Sequence, residues 1–372
     1  MTREISGLLR KGITNLERGT AGLSLEEVKR KYGLTEIVKL ASNENPLGPS
    51  PRAINIIKEA AENANIYPDP TGHELRLIIA NEHGVEVNQV LQGNGSGELI
   101  TFIGEVFVNE GDECIIPVPT YHRYQEVFHI MGAKNVFSPL KEYRIDLEDM
   151  RNRATPKTKI IVLVNPNNPT GDIVGGPEVK EFLETIGKDT ILVFDEAYGE
   201  FVEDKRYPRT VELIKEGHNV IVLRTFSKAY GLAGVRLGYA ISSPEIIGYL
   251  NAVRHVFNVN RFAQLAGIEA IRDKEHLQRC IKLIWDEKRY YYEELDRLGL
   301  SYVPTSANFI FVDTGVDDLK LSEAMVKRGV VIRPMTAWGY KNCIRITIGT
   351  RYQNERAMLC LKEALEELKS GA

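Results

Sequence analysis

Val220-Ile221-Val222-Leu223-Arg224-Thr225-Phe226-Ser227-Lys228-Ala229-Tyr230-Gly231 reads as a short apolar strand running into a polar turn. An apolar run of this length with no polar alternation suits a strand buried on both faces. Lys228 then stands just past a strand end, with Arg236 eight residues further on. Taken alone, such a lysine is an ordinary solvated loop residue, since lysines are mostly exposed. Its neighbours decide whether it is more than that.

Working outward, similar runs at Cys114 to Val118, Lys159 to Val164 and Ile191 to Asp195 alternate with segments of helical periodicity from about residue 52. That alternation predicts an α/β fold, a mainly parallel sheet flanked by helices on both sides, with functional groups at the carboxyl ends of the strands. Upstream, residues 24 to 32 have the period of an amphipathic helix stopped at Gly33, and Val38 to Ala41 reads as a brief strand. Downstream, Glu275 to Leu298 reads as one long helix ended by Gly299, followed by strands around Asn308 to Val312 and Ile344 to Ile348. We expect a large domain at 38–274 and a smaller, discontinuous α/β domain made of 1–37 and 275–372.

At 372 residues there is material for two cores. Charged residues are 26% and hydrophobic residues 43%, a balance that excludes disordered and fibrous classes. The net charge of -4, with acids and bases interspersed, carries no nucleic-acid footprint. No apolar run approaches the roughly 18 residues of a membrane span, and no signal-peptide core opens the chain. Cys114, Cys280, Cys343 and Cys360 form neither a CxxC pair nor a metal-ligand spacing. The expectation is a cytoplasmic protein with reduced thiols, no metal, no nucleic-acid partner and no membrane partner.

Three further segments lie at predicted strand ends. Asp195-Glu196-Ala197-Tyr198 follows Ile191 to Phe194, and an aspartate closing a buried strand needs a cationic or hydrogen-bonding partner. By itself Asp195 is equally a helix N-cap or a magnesium ligand, although no GxxxxGK[ST] loop accompanies it. Asn165-Pro166-Asn167-Asn168-Pro169-Thr170-Gly171 is a tight non-helical turn. Gly93-Asn94-Gly95-Ser96-Gly97-Glu98 links a strand to a helix, so its amides and the helix N-terminus suit a phosphate. The same loop supports a dinucleotide-dependent dehydrogenase, with Glu113 about 20 residues on as the ribose acid. That reading has the spacing Gly-x-Gly-x-Gly instead of Gly-x-Gly-x-x-Gly, and it leaves Lys228, Asp195 and the Asn-Pro turn without work. One aldehyde cofactor bearing a phosphate uses all four segments.

In order and spacing, Asn-Asn-Pro-Thr-Gly, Asp-Glu-Ala-Tyr, Thr-Phe-Ser-Lys and the later Arg236 resemble the fold-type I pyridoxal-phosphate-dependent aminotransferases. Within that group, Asn43-Glu44-Asn45-Pro46, Tyr67-Pro68, the Gly93 loop, Arg333-Pro334-Met335 and Ile344-Arg345-Ile346-Thr347-Ile348-Gly349 look most like the histidinol-phosphate aminotransferase subfamily, some relatives of which prefer aromatic amino acids. The resemblance implies that Lys228 carries pyridoxal 5'-phosphate as a Schiff base, that Asp195 pairs with the pyridine nitrogen, and that Asn168 and Tyr198 hydrogen-bond the phenolic oxygen. Thr225, Ser227, Arg236 and the Gly95-Ser96 amides would line the phosphate side, and Tyr121 would stack on the ring. Arg345 would clamp a substrate carboxylate or phosphate, with Arg333 and Asn43 beside it. Tyr67 would reach the neighbouring subunit's site, making the enzyme a homodimer. The substrates implied are a small amine and a 2-oxo acid. One departure stands out: where the family usually has a tyrosine ahead of Gly-x-x-x-Glu-Glu-Val, this chain has Gly19, which bears on the donor and not on the reaction class.

Overall fold

The computed structural model describes residues 5–13 and 25–370. Its strands, in chain order, are β1 Val38–Lys39, β2 Val90–Gly93, β3 Glu113–Val118, β4 Lys134–Pro139, β5 Thr158–Val164, β6 Ile191–Asp195, β7 Val220–Thr225, β8 Gly238–Ile241, β9 Ser301–Val303, β10 Phe309–Asp313, β11 Val330–Val331, β12 Arg333–Pro334 and β13 Cys343–Thr347. Seven of them form one sheet in the order β2-β8-β7-β6-β5-β3-β4. The four pairings from β4 through β3, β5 and β6 to β7 are parallel, and β8 runs antiparallel to both β7 and β2. The α/β reading with a mostly parallel sheet is what the structure shows.

The apolar runs are central strands for the expected reason. Every residue of β6 is buried, as are Val220 to Leu223 of β7, and their side chains enter two separate cores, one on each face of the sheet. Alternation along the strand sends Leu192 and Phe194 to one core and Ile191 and Val193 to the other. Such a strand cannot be amphipathic, so it reads as continuous apolar sequence.

A second sheet, antiparallel and in the order β12-β13-β10-β9, comes from the C-terminal third. The helix Lys274–Arg297 leads into it, 24 residues and therefore about 36 Å long at 1.5 Å per residue. It is anchored midway by Trp285, whose indole nitrogen donates to the Phe201 carbonyl at 2.8 Å. Gly299 beyond it has φ +66°, the left-handed conformation in which glycine ends helices. The helix read at 24 to 32 spans Leu25–Tyr32. Val38 and Lys39, read as a brief strand at the start of the expected large domain, pair in parallel with Val330 and Val331.

Candidate active site

Because the strands from β3 to β7 and β2 point the same way, their carboxyl ends share one edge of the sheet. The Gly93, Pro119, Asn165, Asp195 and Lys228 segments all leave from it. The antiparallel β8 enters where the others exit, which brings Arg236 and Gly238 to the same edge. Gly238 stands opposite both Thr225 and Gly93 in the register. A Cβ on Gly238 would lie 2.6 Å from the Ser96 amide nitrogen and 2.9 Å from the Arg224 carbonyl, so only glycine lets the Ser96–Phe107 helix start this close to the sheet.

Asp195 is fully buried at the end of β6. Its Oδ2 accepts from the Tyr124 hydroxyl at 2.7 Å and its Oδ1 from the Ala197 amide at 3.0 Å. Burial raises its pKa to about 6, opposed by those two bonds and by the charge of Lys228. A carboxylate in this position is poised to take a cationic partner.

Lys228 is half-buried, and its Nζ donates to the Ser42 carbonyl at 3.1 Å and lies 5.5 Å from the Tyr198 ring centre. Burial pulls its pKa down from 10.5 to about 7; Arg345 and Arg236 push the same way and Glu44 opposes them. A substantial share of the amine is thus neutral and nucleophilic near neutral pH, which is not so for an ordinary surface lysine.

Arg345 on β13 reaches across to the large sheet. One guanidinium nitrogen donates to the Asn168 side-chain oxygen and another to the Ala41 carbonyl at 2.9 Å, while Nε is buried without a partner. Burial first, and Arg333 directly opposite in the register, lower its pKa to about 10, with Tyr198 opposing. An arginine with an unused, buried donor is set to receive an oxyanion. Asn43 takes φ +55° and ties three elements together. Its amide nitrogen donates to Thr347 Oγ1 at 2.9 Å, its Nδ2 to the Tyr198 hydroxyl at 3.0 Å, and its carbonyl accepts from Asn308. Burial lifts Tyr198 to about 12, so its phenol stays protonated.

Gly95 has φ +79°, and a Cβ there would lie 2.5 Å from an Arg236 guanidinium nitrogen, so the arginine lies against the amides at the start of the Ser96–Phe107 helix. Thr225 braces the turn that carries Lys228: its hydroxyl donates to the Leu237 carbonyl and accepts from the Ser227 amide at 3.1 Å. Tyr121 is 38% exposed and meets Tyr124 edge-on, ring centres 6.3 Å apart. Tyr67 stands outside this arrangement: it is 76% exposed and stacks on Phe257 at 4.6 Å. Gly19 lies outside the described residues.

The sequence reading missed Tyr124 and the Thr120 to Asn167 bond of 2.8 Å, which joins the turns after β3 and β5. Helical spacing offers a partial signal for Tyr124, since it stands three residues from Tyr121. Nothing in the linear pattern pairs it with Asp195. Among the described residues, no group of three or more His, Cys, Asp or Glu could hold a metal, and no helix is long and apolar enough to cross a membrane.

A lysine with a depressed pKa, a buried carboxylate at a strand end, and a helix N-terminus flanked by an arginine form a donor set that fits an aldehyde cofactor with a ring nitrogen and a phosphate. The chain belongs to the aminotransferase class I and II family, which matches residues 35–360. It is 40% identical over 357 residues to the histidinol-phosphate aminotransferase of Moorella thermoacetica, covering 96% of this chain and 92% of that one. It is 41% identical to histidinol-phosphate aminotransferase 2 of Carboxydothermus hydrogenoformans, covering 97% and 100%. Among solved structures it is similar to the Sinorhizobium meliloti histidinol-phosphate aminotransferase in complex with pyridoxal-5'-phosphate, with TM-score 0.87, 28% identity and coverage of 97% and 98%. A Thermus thermophilus aspartate aminotransferase variant shares the fold at TM-score 0.80 and 23% identity.

Proposed function

We propose that this protein is a pyridoxal-phosphate-dependent aminotransferase that moves the amino group of histidinol phosphate to a 2-oxo acid, namely 2-oxoglutarate, in histidine biosynthesis. The observation that carries the reaction class is the depressed Lys228 amine on the same sheet edge as the buried Asp195 carboxylate. The donor rests on about 40% identity, over nearly the whole chain, to proteins named for that activity.

When bound, the cofactor supplies an aldehyde that accepts an amine and a ring that withdraws electrons from the neighbouring carbon. Lys228 Nζ is the group that attaches it and, once free, takes the proton from the donor carbon and returns it. Asp195 holds the ring nitrogen protonated. Tyr198 and Asn168 hold the phenolic oxygen, and Ser227, Arg236 and the Gly95-Ser96 amides hold the phosphate, with Thr225 bracing the turn that carries Lys228. Tyr121 covers the ring. Arg345, with Arg333 and Asn43 beside it, receives the substrate's carboxylate or phosphate.

The assembly proposed is a homodimer in which Tyr67 reaches the neighbouring site. Tyr67 stacks on the exposed Phe257, and their chain neighbours Ile66 and Val256 are exposed as well, apolar surface of the kind that marks an interface. The compartment proposed is the cytoplasm, with which four buried free cysteines are consistent.

The test is the visible absorption spectrum of the purified protein with cofactor, recorded before and after L-histidinol phosphate and then L-phenylalanine. Loss of the visible band with histidinol phosphate alone supports the proposal. A response to phenylalanine alone makes the protein an aromatic amino-acid aminotransferase, and no bound cofactor at all sinks the reading.

A further inference from the structure

Tyr124 is among the largest fully buried side chains, at 0% exposure, on the Arg123–Met131 helix. Its ring packs in the core beneath the sheet edge with Phe128, centres 6.1 Å apart, while its hydroxyl leaves that core to reach Asp195 Oδ2 at 2.7 Å. The same ring meets Tyr121 edge-on. One side chain therefore touches both the carboxylate assigned to the ring nitrogen and the tyrosine assigned to the ring face. Buried tyrosine hydroxyls need a partner, and this one spends its proton on the carboxylate.

We infer that Tyr124 is a positioning residue of this aminotransferase: its hydroxyl fixes Asp195 in orientation and keeps it ionised so that the carboxylate can hold a protonated ring nitrogen. The inference rests on the cofactor reading given above. A carboxylate has two oxygens to satisfy. The Ala197 amide serves one and Tyr124 the other, and both bonds favour the charged form against burial. The other titratable groups facing Asp195 are Tyr121, Glu196, Tyr198 and Tyr207, which add no positive charge, and Lys228, which does. Once Lys228 is neutral, the two hydrogen bonds are what hold the carboxylate charged.

Tyr124→Phe keeps the ring and its packing and removes only the donor. The first readout is carboxyl NMR of cofactor-free protein labelled at aspartate, with the Asp195 signal assigned by its loss in Asp195→Asn. Wild-type Asp195 should titrate near 6, and in Tyr124→Phe its proton affinity should rise about ten- to a hundredfold, the usual strength of a hydrogen bond to a charged group. In the holoenzyme the acid limb of kcat should move to higher pH, with kcat down about tenfold and the KM of the amine little changed. 3-Fluorotyrosine at 124 keeps the shape and makes the hydroxyl a stronger donor, so Asp195 should titrate lower, a comparison that needs no Phe variant to fold. An Asp195 titration that moves in neither protein overturns the inference. Because the titration uses cofactor-free protein, it judges Tyr124 even if the functional reading falls, which a wild type that binds no pyridoxal phosphate would show separately.

Discussion

The site has a floor and a wall, and they are built differently. The floor is the edge of the seven-stranded sheet, where Asp195 and Lys228 come from β6 and from the turn after its neighbour β7, held by strand register and by turns a few residues long. The wall belongs to the four-stranded sheet. Its arginine, Arg345, is held from outside its own sheet by Asn168 and Ala41, and Asn43 spans from Thr347 to Tyr198. The floor's strands β6 and β7 are neighbours in sequence as well as in the sheet, although Tyr124 and Ser42 reach its side chains from further away, whereas the wall depends on contacts up to 304 residues apart. Under the function proposed above, the difference separates chemistry from recognition: the groups proposed to react sit on the part that cannot shift without breaking the sheet, and the arginine proposed to clamp an oxyanion sits on the part joined to it by a few side chains.

Damage to the floor should stop the reaction outright. Lys228→Ala is expected to lower kcat by at least about a thousandfold with the fold intact by circular dichroism, because attachment and proton transfer both need Nζ. Asp195→Ala should come close behind. A turnover above a tenth of wild type in either variant would break the assignment of chemistry to the floor.

Damage to the wall should appear first in substrate affinity. Arg345→Lys removes the planar fork and leaves Asn168 and Ala41 without their donors, so KM for the 2-oxo acid should rise about tenfold to a hundredfold, with a smaller fall in kcat. Equal losses in kcat with unchanged KM would move Arg345 from recognition to chemistry and erase the distinction. Asn43→Ala removes one of the side-chain links between wall and floor; it should cost about 1–3 kcal/mol of stability in denaturant unfolding, since it leaves buried Tyr198 and Thr347 underbonded. A midpoint unchanged within error would show that the Asn43 side chain adds nothing to the junction that Arg345 already makes.

The smallest effect is a titration. In the cofactor-free protein the Lys228 amine should react with a small aldehyde at a rate that inflects near pH 7 instead of 10.5. The sign for stability follows. The folded pKa is depressed, so the stability Lys228 contributes is complete above about 10.5 and falls away as pH drops toward 7, a slope that Lys228→Met should lose. An inflection above 10 would mean that Lys228 is solvated as a loop lysine is.

Much of the floor was legible in the linear sequence. The Ile191 to Asp195 run is β6 residue for residue, and the apolar run that opens at Val220 is β7, which ends at Thr225, three residues before Lys228. Hydrophobic runs report strands because burial on both faces leaves no place for polar residues. The turns that follow announce themselves through Pro, Gly and Asn. The wall was reached through motif resemblance alone, and Tyr124 was not reached at all, because a hydrogen bond between residues 71 apart leaves no periodic trace.

The sequence by itself determined the α/β alternation, the strand ends, and which residue types stand at them, since these follow from local burial patterns and turn chemistry. Only the tertiary structure decided that β8 runs antiparallel and so delivers Arg236 beside Gly95, that Arg345 lends its guanidinium to Asn168, and that Tyr124 serves Asp195. Those arrangements follow from how sheets and helices pack against one another. The side chains meet because burying their hydrophobic faces brings distant segments together, and the free energy of that burial belongs to the whole assembly.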